Sequence, residues 1–317
     1  MRILVTGAAG FAGFHTCIRL SREGHYVIGL DNFCPYYSVD LKKDRAKVLQ
    51  DMGVVIVNQA VQDQRALQQL VEEHEITHII HLAAQAGVRY SLKEPEVYIE
   101  SNIDGFLSVL ETSRAYPNII TVWASSSSVY GTNKKVPFSE EDRTDSPANL
   151  YGATKKSNEL MAHAYHHLFG LKLIGLRFFT VYGPWGRPDM AYFLFADKIM
   201  KGETIELFGH GKLRRDFTYI DDVLDGICSA LEAPKAYDIY NLGNSHPETV
   251  LDLVQALEAS LGKKAKVELV DRPLEDIEET FAECSHAKKD LGFDPKISLQ
   301  EGIKRFSEWF KEYYKYD

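Results

Sequence analysis

The chain opens on a short β-branched run over 2–6 that passes directly into Gly7-x-x-Gly10-x-x-Gly13, with helical periodicity over 11–23. A strand, a glycine turn and a helix in that order constrain the fold more than any other stretch. The three glycines have separate tasks: a tight turn, close approach of backbone to a pyrophosphate, and close packing of helix on strand. The helix N-terminus then faces the anion with its free N–H groups. The spacing differs from Gly-x-Gly-x-x-Gly, so the reading depends on what comes next.

Next comes a second apolar run over 26–30 that ends in Asp31-Asn32, at about the distance expected of an acid that binds a ribose. Asp31 is expected to accept from the adenosine ribose hydroxyls and to repel a 2′-phosphate. That favours NAD over NADP, although Lys42, Lys43 and Arg45 lie close downstream. Further strands are expected at 54–58, 78–83, 119–124 and 172–179, with helices near 63–74 and 95–115. This alternation predicts an α/β fold on a doubly wound parallel sheet. From Thr180 onward the chain becomes loop-rich, with short strands at 205–208 and 266–270 and a last helix over 299–316. These make a smaller C-terminal lobe.

Chemistry belongs at the carboxyl ends of such strands. Leu82-Ala83-Ala84 offers small residues where a cofactor lies against backbone, and Ser126 closes the fifth strand within a serine run over 125–128. Tyr151 and Lys155 are four apart at the start of a helix, hence on one face. A phenol titrates near pKa ~10, and an adjacent ammonium favours its phenolate, which makes Tyr151 a proton shuttle. A lone Tyr-x-x-x-Lys is more often a core tyrosine beside a surface lysine. The serine run and the glycine turn upstream favour the catalytic reading. Arg187, Arg214, Arg215 and Arg272 stand at loop positions of the second lobe and suit a diphosphate clamp.

Composition removes other classes. A formal charge of −9 argues against nucleic-acid binding. Cys17, Cys34, Cys228 and Cys284 lack metal-ligand or paired spacing, which points to thiols in a reducing, cytoplasmic setting. No apolar stretch reaches bilayer length, so no membrane span is expected. His163 and His167 form an i, i+4 pair without a third ligand of matching pattern, and no metal is expected.

Together these stretches resemble the extended short-chain dehydrogenase/reductase superfamily, its nucleotide-sugar epimerases and, most closely, UDP-glucuronate 4-epimerases. The resemblance spans nearly the whole chain: the 6–13 and 31–37 segments, His81 to Ser91, Ser101-Asn102, Ser126 to Gly131, Tyr151 to Lys155, Arg177 to Pro184 and Arg215 to Ile220. It implies a Rossmann-like NAD-binding domain over 1–180 and a UDP-sugar lobe over 181–317, with segments crossing back. It also implies that Gly7, Gly10, Phe11, Ala12, Gly13, Asp31, Asn32, Leu82, Ala83, Ala84, Asn102, Lys155 and Phe178 hold NAD. Tyr151 would remove the 4-OH proton, Lys155 would lower its pKa, and Ser126 would bond the reacting oxygen. Arg89, Ser127, Ser128, Thr180, Arg187, Arg215 and Arg272 would hold the UDP-sugar, and the assembly would be a homodimer through helices near 95–115 and 151–169.

Two stretches depart from the pattern. The acid that contacts adenine in many relatives is replaced within Asn58-Gln59-Ala60, and the segment from Arg272 to Asp276 differs from the usual loop of the uronate branch. Rival readings are a 4-epimerase of neutral UDP-hexoses, a 4,6-dehydratase, and a non-catalytic NAD-binding regulatory protein. The dehydratase needs an acidic pair after Ser126, where Ser127-Ser128 stand. The regulatory protein would have no use for Ser126, Tyr151 and Lys155.

Overall fold

Strands buried on both faces belong to parallel sheets covered by helices, and β1 (Arg2–Thr6) has a fully buried run from Ile3 to Thr6. The computed structural model describes residues 1–271 and 278–316. After β1 come α1 (Phe11–Arg22), β2 (Tyr26–Asp31), α2 (Val39–Asp51), β3 (Val55–Asn58), α3 (Gln64–Glu73) and β4 (His78–His81). Then follow α4 (Pro95–Tyr98), α5 (Gly105–Ala115), β5 (Ile120–Ser126), α6 (Leu150–Phe169), β6 (Lys172–Phe178) and β7 (Thr180–Tyr182). The remainder holds α7 (Ala191–Lys201), β8 (Thr204–Phe208), β9 (Arg214–Tyr219), α8 (Ile220–Ala230), β10 (Tyr237–Leu242), β11 (Pro247–Thr249) and α9 (Val250–Leu261). It ends with β12 (Lys266–Val270), β13 (Glu279–Thr280), α10 (Ser285–Leu291) and α11 (Leu299–Tyr314).

Seven strands form one parallel sheet in the order β10-β6-β5-β4-β1-β2-β3. The order runs outward in both directions from the β1/β4 pair, so a crevice opens at their carboxyl ends, the place where such sheets bind ligands. The registers Thr6↔His81 and Asp31↔Asn58 bring the strand ends level around it. The outer strand β10 comes from the C-terminal half. Beside the sheet, β9 pairs with β11, β13 and β7, and β8 pairs with β12.

The helix expected over 95–115 is present but not α-helical throughout. Between α4 and α5 the backbone takes a π-helical form over Ile99–Asp104, which widens the turn and carries Asn102 inward to 1 % exposure. There its side chain bonds Gln85 N at 2.8 Å, Gln85 O at 3.0 Å and Thr154 Oγ1 at 3.0 Å. The final helix stops two residues before the expected end, where Lys315 takes a left-handed conformation.

Helix α6 starts where Asn149 caps it, Gly152 N donating to Asn149 Oδ1 at 2.8 Å. Its depth is fixed by a buried ion pair. Arg177 on β6 donates from Nε to Glu159 Oε1 at 2.8 Å and from Nη2 to Oε2 at 2.9 Å, and Ser125 on β5 adds a bond of 2.8 Å to Oε1. One carboxylate therefore ties α6 to two adjacent strands. Glu159→Gln leaves the Arg177 guanidinium buried without its counter-charge, so urea denaturation should show a loss of roughly 3–5 kcal/mol.

Candidate active site

The floor of the crevice is the glycine turn. Gly7 has φ +73°, and a Cβ there would lie 2.7 Å from Ala83 N; a Cβ on Gly13 would lie 2.0 Å from Gly7 O. Only glycine lets β1's turn sit this close to the strand beside it and to its own helix. Helix α1 has no side-chain cap and no acid in its first turn, so the N–H groups at its start face the crevice and an anion.

Around this floor the structure brings together Gly7, Gly10, Phe11, Ala12, Gly13, Asp31, Asn32, Leu82, Ala83, Ala84, Lys155 and Phe178 with Ser126, Tyr151 and Arg187. Asp31 accepts from Ala9 N at 2.9 Å through Oδ2 and from Phe33 N at 2.8 Å through Oδ1. The carboxylate is thereby fixed, with lone pairs left over for ribose hydroxyls. Asn102 is not among the lining residues; its amide is spent on fixing the Gln85 backbone.

The substrate-side expectations separate. Arg187 lines the crevice, paired with Asp189 at 3.1 Å (Nε–Oδ1), and Tyr36 Oη donates to the same carboxylate at 2.9 Å. Ser127, Ser128 and Thr180 are half-buried beside the catalytic end rather than in the lining. Arg89 is exposed, its guanidinium 5.1 Å from the Phe208 ring centroid. Arg215, on β9, donates to Arg214 O at 2.8 Å. Arg272 lies outside the described residues.

At the catalytic end Tyr151 is 9 % exposed and Lys155 2 %. Burial pushes the Tyr151 phenol up, while the nearby Ser126 hydroxyl and the Arg187 guanidinium draw it back down. The sequence expectation gave that task to Lys155. In the structure Lys155 Nζ donates to Ala124 O at 2.8 Å, one helical turn from Tyr151, and the Arg187 guanidinium is a further cation that favours the phenolate. Burial alone pushes Lys155 down to about 8.

Sequence reasoning missed Gln62 and Met190 in the crevice wall and gave no site role to Tyr36, Tyr37 and Gln59, although it picked out the stretches that carry them. For Gln62 the usable signal was the acid missing within Asn58-Gln59-Ala60, just before it. Gln62 Oε1 is buried without a partner, in the wall beyond Asp31 where the base would follow the ribose. The glycine cradle, the fixed Asp31 and this orphan acceptor fit an adenine dinucleotide. Elsewhere, Asp238, His286 and Asp290 converge, but Lys235 Nζ already sits 2.6 Å from Asp238 Oδ2 and 3.3 Å from both His286 Nε2 and Asp290 Oδ2.

This geometry has known counterparts. The pattern of the NAD dependent epimerase/dehydratase family matches residues 3–243. The chain belongs to that family. UDP-glucuronate 4-epimerase 4 of Arabidopsis thaliana is 49% identical over 99% of this chain and 76% of its own. The crystal structure of UDP-glucuronic acid 4-epimerase from Bacillus cereus with UDP-glucuronic acid and NAD superposes with TM-score 0.92 at 33% identity, covering 99% and 100% of the two chains. The UDP-glucose 4-epimerase of Thermotoga maritima reaches TM-score 0.89 at 31% identity, covering 99% and 100%. The α/β fold with its seven-stranded parallel sheet, the NAD dependence and the enzymatic nature of this epimerase/dehydratase family member follow.

Two outcomes test the site. Lys155 titrates in the folded protein below an ordinary lysine, so the unfolded chain binds more protons between pH about 8 and 10.5. Folding with a charged Lys155 is thus penalised at neutral pH, and the penalty relaxes as pH rises through that window. Lys155→Met should raise the melting temperature of the cofactor-stripped protein at pH 7, by ~2 °C for each kcal/mol relieved, and lose that extra pH dependence in calorimetry. Gln62→Leu should weaken NAD binding by about 2–10-fold in isothermal titration, the value of one neutral hydrogen bond, with the melting temperature unchanged.

Proposed function

We propose that this chain interconverts UDP-glucuronate and UDP-galacturonate by epimerisation at C4. The observation that carries this is the meeting of Ser126, Tyr151 and Lys155 at one end of the dinucleotide crevice with a cation, Arg187, beside the phenol. NAD, which the glycine turn, Asp31 and Lys155 would hold, would supply a reversible acceptor for the C4 hydride, so that no net oxidation occurs in a turnover. Tyr151 removes the 4-OH proton and later gives it back, and Ser126 bonds the oxygen as it becomes a ketone. Lys155, anchored on Ala124 O in the crevice lining, would hold the nicotinamide ribose and keep a positive charge near the reacting oxygen. Residues 1–180 chiefly serve NAD and 181–317 chiefly the UDP-sugar.

The uronate is favoured over a neutral hexose by Arg187 and by hydroxyls at Ser127, Ser128 and Thr180. Charge-assisted bonds from these suit a carboxylate. They also hold the C5–C6 bond away from the ketone, so the β-keto acid keeps its CO₂. The near-full-length 49% identity to UDP-glucuronate 4-epimerases supports the same choice. Elimination is disfavoured because no carboxyl group follows Ser126.

A homodimer through α5 and α6 fits their outward apolar residues, Leu107, Leu160 at 61 % exposure and Leu168 at 67 %. Four free cysteines fit a reducing cytoplasm. No helix among the described residues is long and apolar enough to cross a membrane.

The deciding experiment incubates the purified protein with a panel of UDP-sugars and resolves the C4 epimers. UDP-glucuronate should be turned over in preference, with no net consumption of NAD. Tyr151→Phe should lower that turnover by ~10²–10⁴-fold while NAD stays bound. Equal handling of UDP-glucose would replace this reading with the neutral-hexose one.

A further inference from the structure

One buried cation, Arg45 on α2, takes no part in the chemistry above. It is 0 % exposed and its hydrogen-bond partners are all neutral. Nη1 donates to Ala9 O at 2.9 Å and to the Tyr37 hydroxyl at 2.8 Å; Nη2 donates to Trp185 O at 2.6 Å and Gly186 O at 2.9 Å. Nε has no partner. A guanidinium buried without a carboxylate is an expensive choice for a purely structural staple.

Three of its four acceptors belong to two places that matter. Ala9 is part of the glycine turn, and Trp185-Gly186 directly precede Arg187. The preceding carbonyl, Pro184 O, is held by His15 Nε2 of α1 at 2.8 Å. Burial pushes His15 down to about 4, so the ring is neutral and the carbonyl assigns the proton to Nε2. Three consecutive carbonyls, 184 to 186, are thus gripped from the helices that flank the glycine turn.

The gripped segment is strained. Trp185 has φ +56°, a left-handed conformation that costs a non-glycine residue ~1–2 kcal/mol and persists only where the surroundings over-determine it. Here Arg45 holds the carbonyl, and Phe14 and Tyr313 approach the indole with centroids at 5.2 Å. Beyond the strained residue, Arg187 enters the crevice and is steadied by Asp189 and Tyr36.

We propose that Arg45 is a positioning residue that locks the 184–186 turn onto the glycine turn and so sets the reach of Arg187 towards Tyr151 and the substrate. The inference rests on the reading of Arg187 as a substrate-side cation. Holding the cofactor turn and the arginine arm with one guanidinium makes the grip on the sugar nucleotide depend on a residue behind the cofactor.

Arg45→Lys keeps the charge but cannot serve four acceptors in a planar fork. With calorimetry and NAD content reporting an intact holoenzyme, kcat/KM for UDP-glucuronate should fall by up to ~10²-fold, the size associated with a misplacement of about 1 Å. Arg187 draws the Tyr151 phenol down, so an arm out of place lets it rise. The rising limb of kcat/KM against pH should move to higher pH in R45K, as it does in R187A. In the R187A background, adding R45K should change neither quantity. Should R45K lack a folded transition, Tyr37→Phe removes a single acceptor of Arg45 and should give a smaller loss that also disappears in R187A. An R45K enzyme equal to the parent, or a loss of the same size with and without Arg187, overturns the proposal. An R187A variant with unchanged KM and pH profile instead sinks the reading of Arg187 itself.

Discussion

Everything in this molecule depends on how closely the turn after β1 approaches the chain leaving β4. A Cβ on Gly7 would stand 2.7 Å from Ala83 N, so a single methyl group there would prise open the two central strands of the sheet. That contact fixes the depth of the crevice. It also decides that the start of α1 points into the crevice, and that Asp31 on one side and Ser126 on the other are within span of one dinucleotide.

Around this contact the protein buries several charges, and their partners differ. Glu159 and Arg177 satisfy each other and fasten α6 to β5 and β6. Lys155 has only a carbonyl and Arg45 only neutral acceptors. The Glu159–Arg177 pair lies behind the site and stabilises the frame. Lys155 lines the crevice and Arg45 stands behind it, so neither charge is cancelled by a carboxylate close to the cofactor site. Fold stability is thereby given up at the positions where a fixed positive potential is useful.

The parts legible in the sequence are those set by neighbours along the chain. Gly7, Gly10 and Gly13 after a strand, Asp31 at the end of the next, and Tyr151 and Lys155 at helical spacing all announce themselves through local pattern. What stayed hidden is set by contacts far apart in sequence. The placement of Arg187 needs Tyr36 and Arg45 from the first fifty residues, and no periodicity encodes that meeting. Asn102 was assigned to the cofactor because a motif carried it there, while the π-helical turn redirects its amide to Gln85. The carbonyl that holds Lys155 and the second cation near the phenol, Arg187, are likewise invisible in helical spacing.

The strand β10 has a consequence for how the chain is made. It completes the edge of the main sheet beside β6, yet it is synthesised only after β7, α7, β8, β9 and α8 have left the ribosome. Until residue 242 emerges, β6 presents an open row of backbone donors and acceptors on the outside of an otherwise finished sheet. Nascent chains paused anywhere between β6 and β10 therefore carry a sticky edge. Codon choice, translation speed or chaperone capture across that interval should govern yield more strongly than it does before β6.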